Sequence, residues 1–260
     1  MEYTGLTTLI TGASSGIGVE FAEGFAARGS NLVLVARRKD RLTELASRLE
    51  KQYSVQVSVI AQDLSVPGAG AALEKAVAKQ KLTVDVLVNN AGFGVNGYFV
   101  DEDRAVTQAE ITLNMGTLVD LTAAFLPGMI SRDKGAVVNI ASTASFQPVP
   151  GMAVYAATKA FVRSFTEALW GELGTSQVRV LAVSPGATES EFFEVAGGKP
   201  SGTSMPASAV VDTMFTALDK PRSTPSVVVG GTNGFTAGLV KFFPKKSVIH
   251  MAGGMFLPKK

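Results

Sequence analysis

From residue 6 to residue 229 the chain alternates short aliphatic, β-branched runs with longer stretches whose apolar residues recur at helical spacing. The strand-like runs are residues 6–11, 31–36, 55–61, 84–89, 136–141, 178–183 and 226–229. Helical patterns fill 17–28, the stretch marked by Leu42, Leu45 and Leu49, then 69–81, a long run over 103–130, 153–173 and 207–218. Near-continuous apolar strands are buried on both faces, which implies a parallel sheet with helices on either side. Right-handed crossovers then give a Rossmann-like, doubly wound α/β fold, with ligands expected at the carboxyl ends of the strands.

Composition narrows the function. At 260 residues, 46% hydrophobic and 18% charged, the chain suits one large α/β domain over 1–260. A formal net charge of +2 is too small to argue for nucleic acid or an anionic membrane. The absence of cysteine excludes disulfides, thiol catalysis and thiolate metal sites, and the lone His250 makes no metal centre. Residues 1–5 lack a signal-peptide layout, and no uncharged apolar run reaches the roughly 18–20 residues of a membrane span. The chain reads as cytoplasmic.

The loops after the strands carry the chemistry. Gly12, Ser14, Ser15, Gly16, Ile17 and Gly18 join the first strand to the first helix. Gly12 permits a sharp exit, Gly16 a close backbone approach to phosphate, and Gly18 close helix packing. The helix N-terminus near Ile17 offers free N–H groups and a positive dipole end to a pyrophosphate. After the second strand, Arg37 and Arg38 stand where a carboxylate would favour NAD; two guanidiniums suit a 2′-phosphate, so NADP(H) is the expected cofactor. Asp40 reads as a helix cap. Asp63 and Leu64 follow the third strand, where an adenine would lie. Asn90, Ala91 and Gly92 follow the fourth and are small enough for ribose and phosphate to approach.

Tyr155 and Lys159 are spaced i, i+4 on one predicted helix and share a face. A phenol has a reference pKa of about 10, and a neighbouring ammonium is expected to lower it toward a working range. The pair suits the proton transfer of a carbonyl–alcohol interconversion. Ser142, at the end of the fifth strand, can return to Tyr155 so that both bond one substrate oxygen. Asn114 is a poor interior helix former inside the long run. Pro185, Gly186 and Thr188 follow the sixth strand and can turn the chain over a nicotinamide.

Together, TGASSGIG at 11–18, NNAG at 89–92, Asn114, Ser142, YxxxK at 155–159 and PG at 185–186 resemble the short-chain dehydrogenase/reductase family over residues 6–230. The resemblance implies a seven-stranded parallel sheet ordered 3-2-1-4-5-6-7 and a catalytic tetrad of Asn114, Ser142, Tyr155 and Lys159. It also implies a homodimer or homotetramer. Arg37 after Ala36 resembles the NADP-preferring members. Ser190 stands where many members carry Thr, so Thr188 is assigned the carboxamide contact instead. PGAT…EFF and the long tail look most like bacterial DltE-type reductases.

Apolar residues Phe93, Ala144, Phe146, Val149, Met152, Phe192, Phe193 and Met205 are expected to wall a site for a hydrophobic ketone, aldehyde or alcohol. Residues 187–206, with Gly197, Gly198 and Gly202, read as a substrate lid. The extension over 230–260 is expected to pack on a partner subunit or cover the pocket; contact with a membrane surface is the less favoured reading. A non-catalytic NADP-binding regulator is the rival to the enzyme; loss of Tyr155 or Lys159 would favour it, and both are present.

Overall fold

Seven apolar runs hydrogen-bond into one parallel sheet. The computed structural model describes residues 1–198, 204–220 and 224–257. Its strands are β1 (Thr7–Thr11), β2 (Asn31–Ala36), β3 (Val57–Ala61), β4 (Val86–Asn89), β5 (Ala136–Ile140), β6 (Arg179–Ser184) and β7 (Ser226–Val228). They lie in the order β3-β2-β1-β4-β5-β6-β7, the Rossmann-like arrangement that was expected. The chain winds outward from β1 to β3, returns to place β4 beside β1, then winds the other way. That reversal opens a crevice at the carboxyl ends of β1 and β4.

Side chains alternate along each strand, and the alternation feeds two cores. Ile10, Leu32 and Leu34 meet α1 (Ile17–Ala26), α2 (Lys39–Tyr53) and α8 (Ala207–Leu218) on one face. Leu9, Val33 and Val35 meet α3 (Ala69–Lys79) and α5 (Leu118–Ser131) on the other. Phe21 and Phe25 of α1 are fully buried. Each contributes about 1.5–3 kcal/mol by leaving water, and this fixes α1 over the sheet with its N-terminus at the crevice.

Two boundaries differ from expectation. The run over 103–130 is not one regular helix. Asp103 caps α4 (Arg104–Ile111) by accepting from the Ala105 and Val106 amides. A π-turn then spans Thr112–Thr117 before α5 begins. Such a widened turn re-aims one side chain without ending the helix, and here Asn114 is turned inward. Asp40 is no cap: α2 starts at Lys39, so Asp40 lies in its first turn, where its charge complements the dipole. The run Arg104–Ser131 is long and apolar enough to cross a membrane by length and composition, and it packs here against the sheet.

Beyond β7, α9 (Gly231–Leu239) and α10 (Lys245–Phe256) fold back to the crevice. The Asn96 amide donates to the Phe256 carbonyl at 2.9 Å. A side chain at Gly151 would stand 2.7 Å from the same carbonyl oxygen.

Candidate active site

A cleft of about 630 Å³ runs along the carboxyl ends of the strands. Its floor at one end is the loop from β1 to α1. Gly12 has φ +69°, and a side chain there would lie 2.9 Å from the Asn90 amide nitrogen. Asn90 in turn donates to the Thr11 carbonyl at 2.9 Å, tying the loop after β4 to the loop after β1. Gly18 lies away from the cleft surface; a side chain there would run into the Gly12 carbonyl, so its role is the expected close packing. Gly16 lines the cleft as expected and also makes room for a neighbouring loop. Its φ is +52°, and a Cβ would stand 2.7 Å from the Ser190 Cβ, so the missing side chain admits the loop after β6.

Ser14, Ser15, Ile17, Arg37, Arg38, Asp63, Leu64, Ala91 and Gly92 all line this half of the cleft. Arg38 donates to the Ser14 hydroxyl at 3.1 Å and pairs with Glu191 at 2.8 Å. Arg41 holds the second Glu191 oxygen at 2.6 Å. Hydrogen bonding to Arg41, then to Arg38 and Ser15, pulls the Glu191 carboxyl down to about 2 against its partial desolvation. Sequence reasoning missed both Arg41 and Glu191. The i, i+3 spacing of Glu191's partners Arg38 and Arg41 is ordinary, and only the fold brings residue 191 across the cleft to them. Asp63 accepts from the Ser65 hydroxyl and amide, which lower its carboxyl, with Arg37 assisting.

At the other end, α6 (Ala153–Leu173) presents Tyr155 and Lys159. Ser142 and Tyr155 share this end of the cleft, and the Ser142 hydroxyl acts on the phenol so as to lower its pKa. Ser142 also accepts from the Ala144 amide at 3.1 Å. Lys159 donates to the Ile140 carbonyl at 2.7 Å, and its Nζ lies 5.8 Å from the centre of the Tyr155 ring. The ammonium therefore sits beside the phenol without bonding it.

The pKa balance departs from the expected one. Burial pushes Tyr155 up to about 12; the Ser142 hydrogen bond opposes this, and the Glu110 charge adds to it. Burial likewise brings Lys159 down to about 8, with Glu110 opposing. Desolvation outweighs any help the phenol draws from the cation one turn away, because both groups are enclosed.

Asn114 stands behind this wall rather than in it. Its Nδ2 donates to the Phe93 carbonyl at 2.8 Å and to the Thr158 hydroxyl at 3.1 Å, while its Oδ1 accepts from the Phe93 amide at 3.2 Å. Gly92 lies between Asn114 and Lys159: a Cβ there would be 2.9 Å from Asn114 Oδ1 and 3.2 Å from Lys159 Nζ. Glu110, one turn before Asn114, is wholly buried, and neither carboxylate oxygen has a hydrogen-bond partner. Burial first, then the Glu102 charge, raises it to about 7; the Lys159 charge pulls the other way. The sequence held no signal for it, since a glutamate at one helix position reads as a solvated one.

Pro185, Gly186 and Thr188 line the cleft beneath the loop after β6. Thr188 donates to the Gly186 carbonyl at 3.0 Å, and Ser190 to the Thr188 carbonyl at 3.3 Å. Among the apolar candidates, Phe93, Ala144, Val149, Met152, Phe192 and Phe193 line the cleft. The Phe192 ring packs 5.0 Å from that of Tyr155. Phe146 and Met205 do not line it. Phe146 turns outward beneath the Arg163 guanidinium, 4.3 Å away. Met205 pairs its backbone with Ala187 and Glu189 and packs on the sheet core. Within the expected lid, α7 (Phe192–Ala196) is the formed element; Gly202 lies outside the described residues. Met255 and Phe256 of α10 add a further wall, so the extension covers the pocket, one of its two expected placements. Among the described residues no cluster of His, Asp or Glu could hold a metal ion.

The short chain dehydrogenase family model matches residues 6–199. Sulfoacetaldehyde reductase 2 from Chromohalobacter salexigens is 40% identical over 192 residues, covering 73% of this chain and 75% of that protein. Bovine very-long-chain 3-oxoacyl-CoA reductase is 35% identical over 188 residues, 70% of this chain, and the match spans only 59% of that protein's length. Among solved structures, a short-chain dehydrogenase from Sphingobium yanoikuyae in complex with NADPH superposes with a TM-score of 0.81 at 37% identity, covering 92% of this chain and 96% of that one.

Proposed function

This chain belongs to the short-chain dehydrogenase family, oxidoreductases that bind a nicotinamide cofactor, and we propose that it interconverts a hydrophobic ketone or aldehyde and its alcohol with NADP(H). One observation carries the reading. A half-buried Tyr155, beside Ser142 and backed by Lys159, closes the apolar end of the cleft whose other end holds the glycine loop and paired arginines.

The donor set fits a dinucleotide phosphate. The α1 N-terminus and the Ser14 and Ser15 hydroxyls suit a pyrophosphate, and Arg37 and Arg38 suit a 2′-phosphate. When bound, the cofactor supplies or accepts the hydride. The chain's own residues do the rest. Ser142 and Tyr155 hold the substrate oxygen between their hydroxyls. Tyr155, kept neutral by burial, donates its proton to that oxygen during reduction. Ser142 donates to the developing alkoxide, the oxyanion-hole role. Lys159 steadies the phenolate left behind, which costs more to form in a buried site than in water. Asn114 fixes the loop after β4 against α6, and a water beside its amide oxygen passes protons between Lys159 and solvent. Phe93, Val149, Met152, Phe192 and Phe193 select an apolar substrate by excluding water around the carbonyl.

A panel of aryl, alicyclic and sugar carbonyls, run with NADPH and NADH in turn and followed by absorbance, tests this. The expected result is NADPH consumption with the apolar ketones and little with the sugars. NADPH binding with no turnover across the panel would favour the regulatory reading instead.

A further inference from the structure

The charge of this chain is segregated along its length. All 22 acidic residues precede Lys220, whereas 7 of the 24 basic residues lie from Lys220 onward. The formal net charge of +2 therefore sums an acidic body and a basic tail. In the described part of that tail the cations are Lys220, Lys241, Lys245 and Lys246, all exposed, and among the described residues none forms an ion pair.

The same segment exposes large apolar side chains. Phe235, Leu239 and Phe242 recur at i, i+4 and i+7 through α9 and the 3-10 turn Val240–Phe242, so they form one stripe. Phe235 is 69% exposed and Phe242 84%, while Ala237, on the opposite side of α9, is buried. Phe243 continues the patch at 52% exposed and leads directly into the two lysines that open α10. An outward apolar stripe interleaved with lysines and free of acids is the pattern of a helix that lies in a lipid–water interface.

We propose that α9, the turn after it and the start of α10 dock this protein on an anionic lipid surface. The phenylalanines enter the acyl boundary and the lysines meet phosphate headgroups. Charge decides between lipid and a second copy of the chain. A two-fold interface on this patch would set Lys241, Lys245 and Lys246 against their own equivalents, a like-charge contact. An anionic bilayer satisfies both the rings and the ammonium groups. The acidic body is repelled from the same surface, so the charge asymmetry also orients the molecule tail-first. Asn233, Thr236 and Ala237 of α9 and Met255 and Phe256 of α10 line the cleft, so docking sets the cleft mouth beside the bilayer. The docking itself does not depend on the catalytic reading.

The test uses the full chain and sedimentation with vesicles of phosphatidylcholine alone or with about 30% phosphatidylglycerol. Variants are Phe242→Ser/Phe243→Ser and Lys241→Gln/Lys245→Gln/Lys246→Gln, checked for an unchanged thermal melt. Light scattering reports the oligomer. Expected are binding to the anionic vesicles only, release at high salt, and about tenfold weaker binding for either variant. The proposal fails if wild type stays in the supernatant or if both variants bind like wild type. It fails equally if wild type is a dimer that the phenylalanine variant dissociates while anionic vesicles bind neither.

Discussion

The two ends of the cleft hold charge by opposite means. Around Tyr155 the groups are enclosed, and burial sets their protonation: the phenol rises to about 12 and Lys159 falls to about 8. Around Arg38 the groups are more than a third exposed, and pairing sets it: two guanidiniums hold Glu191 at about 2. On the proposed reading the enclosed end transfers a proton and is barely screened by salt, while the exposed end exchanges anions and is weakened by salt.

The largest expected effect falls at the buried end. Lys159→Ala should lower kcat by about 10²–10⁴-fold at pH 7 while leaving NADPH binding measurable by fluorescence. In wild type, the Lys159 ammonium is lost as pH rises through about 8, so kcat/KM should fall above that pH. Glu110 favours the ammonium, and Glu110→Gln should therefore move the alkaline limb to lower pH. A limb that stays in place would separate Glu110 from the site.

Smaller effects belong at the exposed end. Arg37→Ala/Arg38→Ala should cut the preference for NADPH over NADH by about 10–100-fold, read as the ratio of kcat/KM values. Glu191→Gln should act weakly and in the opposite sense. A 2′-phosphate and the Glu191 carboxylate compete for Arg38, so the variant should bind NADPH tighter, by less than about fivefold, and the gain should shrink with added salt. Weaker binding by that variant would mean that the carboxylate clamps the cofactor rather than displacing it.

The same contrast explains what the sequence disclosed. The places of the glycine loop, Asn90, Ser142, Tyr155 and Lys159 at the cleft were legible because they follow from position relative to a strand end, and strand ends show in the apolar runs. Asn114 was legible as an oddity, but not its cause: a π-turn leaves no mark in a helical pattern. Phe146 and Met205 were misassigned because a loop fixes no periodicity, so a side chain there can face the cleft or the core. Glu110 and Glu191 become visible only when the chain is folded, since each meets partners far away in sequence. The tail's charge was on display in the sequence throughout; its meaning needed the exposures of Phe235 and Phe242.

The most direct measurement is turnover by Tyr155→Phe, with the NADPH dissociation constant and thermal melt taken in parallel. Losing one hydroxyl from the half-buried ring should leave folding and cofactor binding near wild type and reduce ketone reduction by about 10²–10⁴-fold. Near-normal reduction by that variant, with its cofactor bound, would contradict the assignment of Tyr155 as the proton donor.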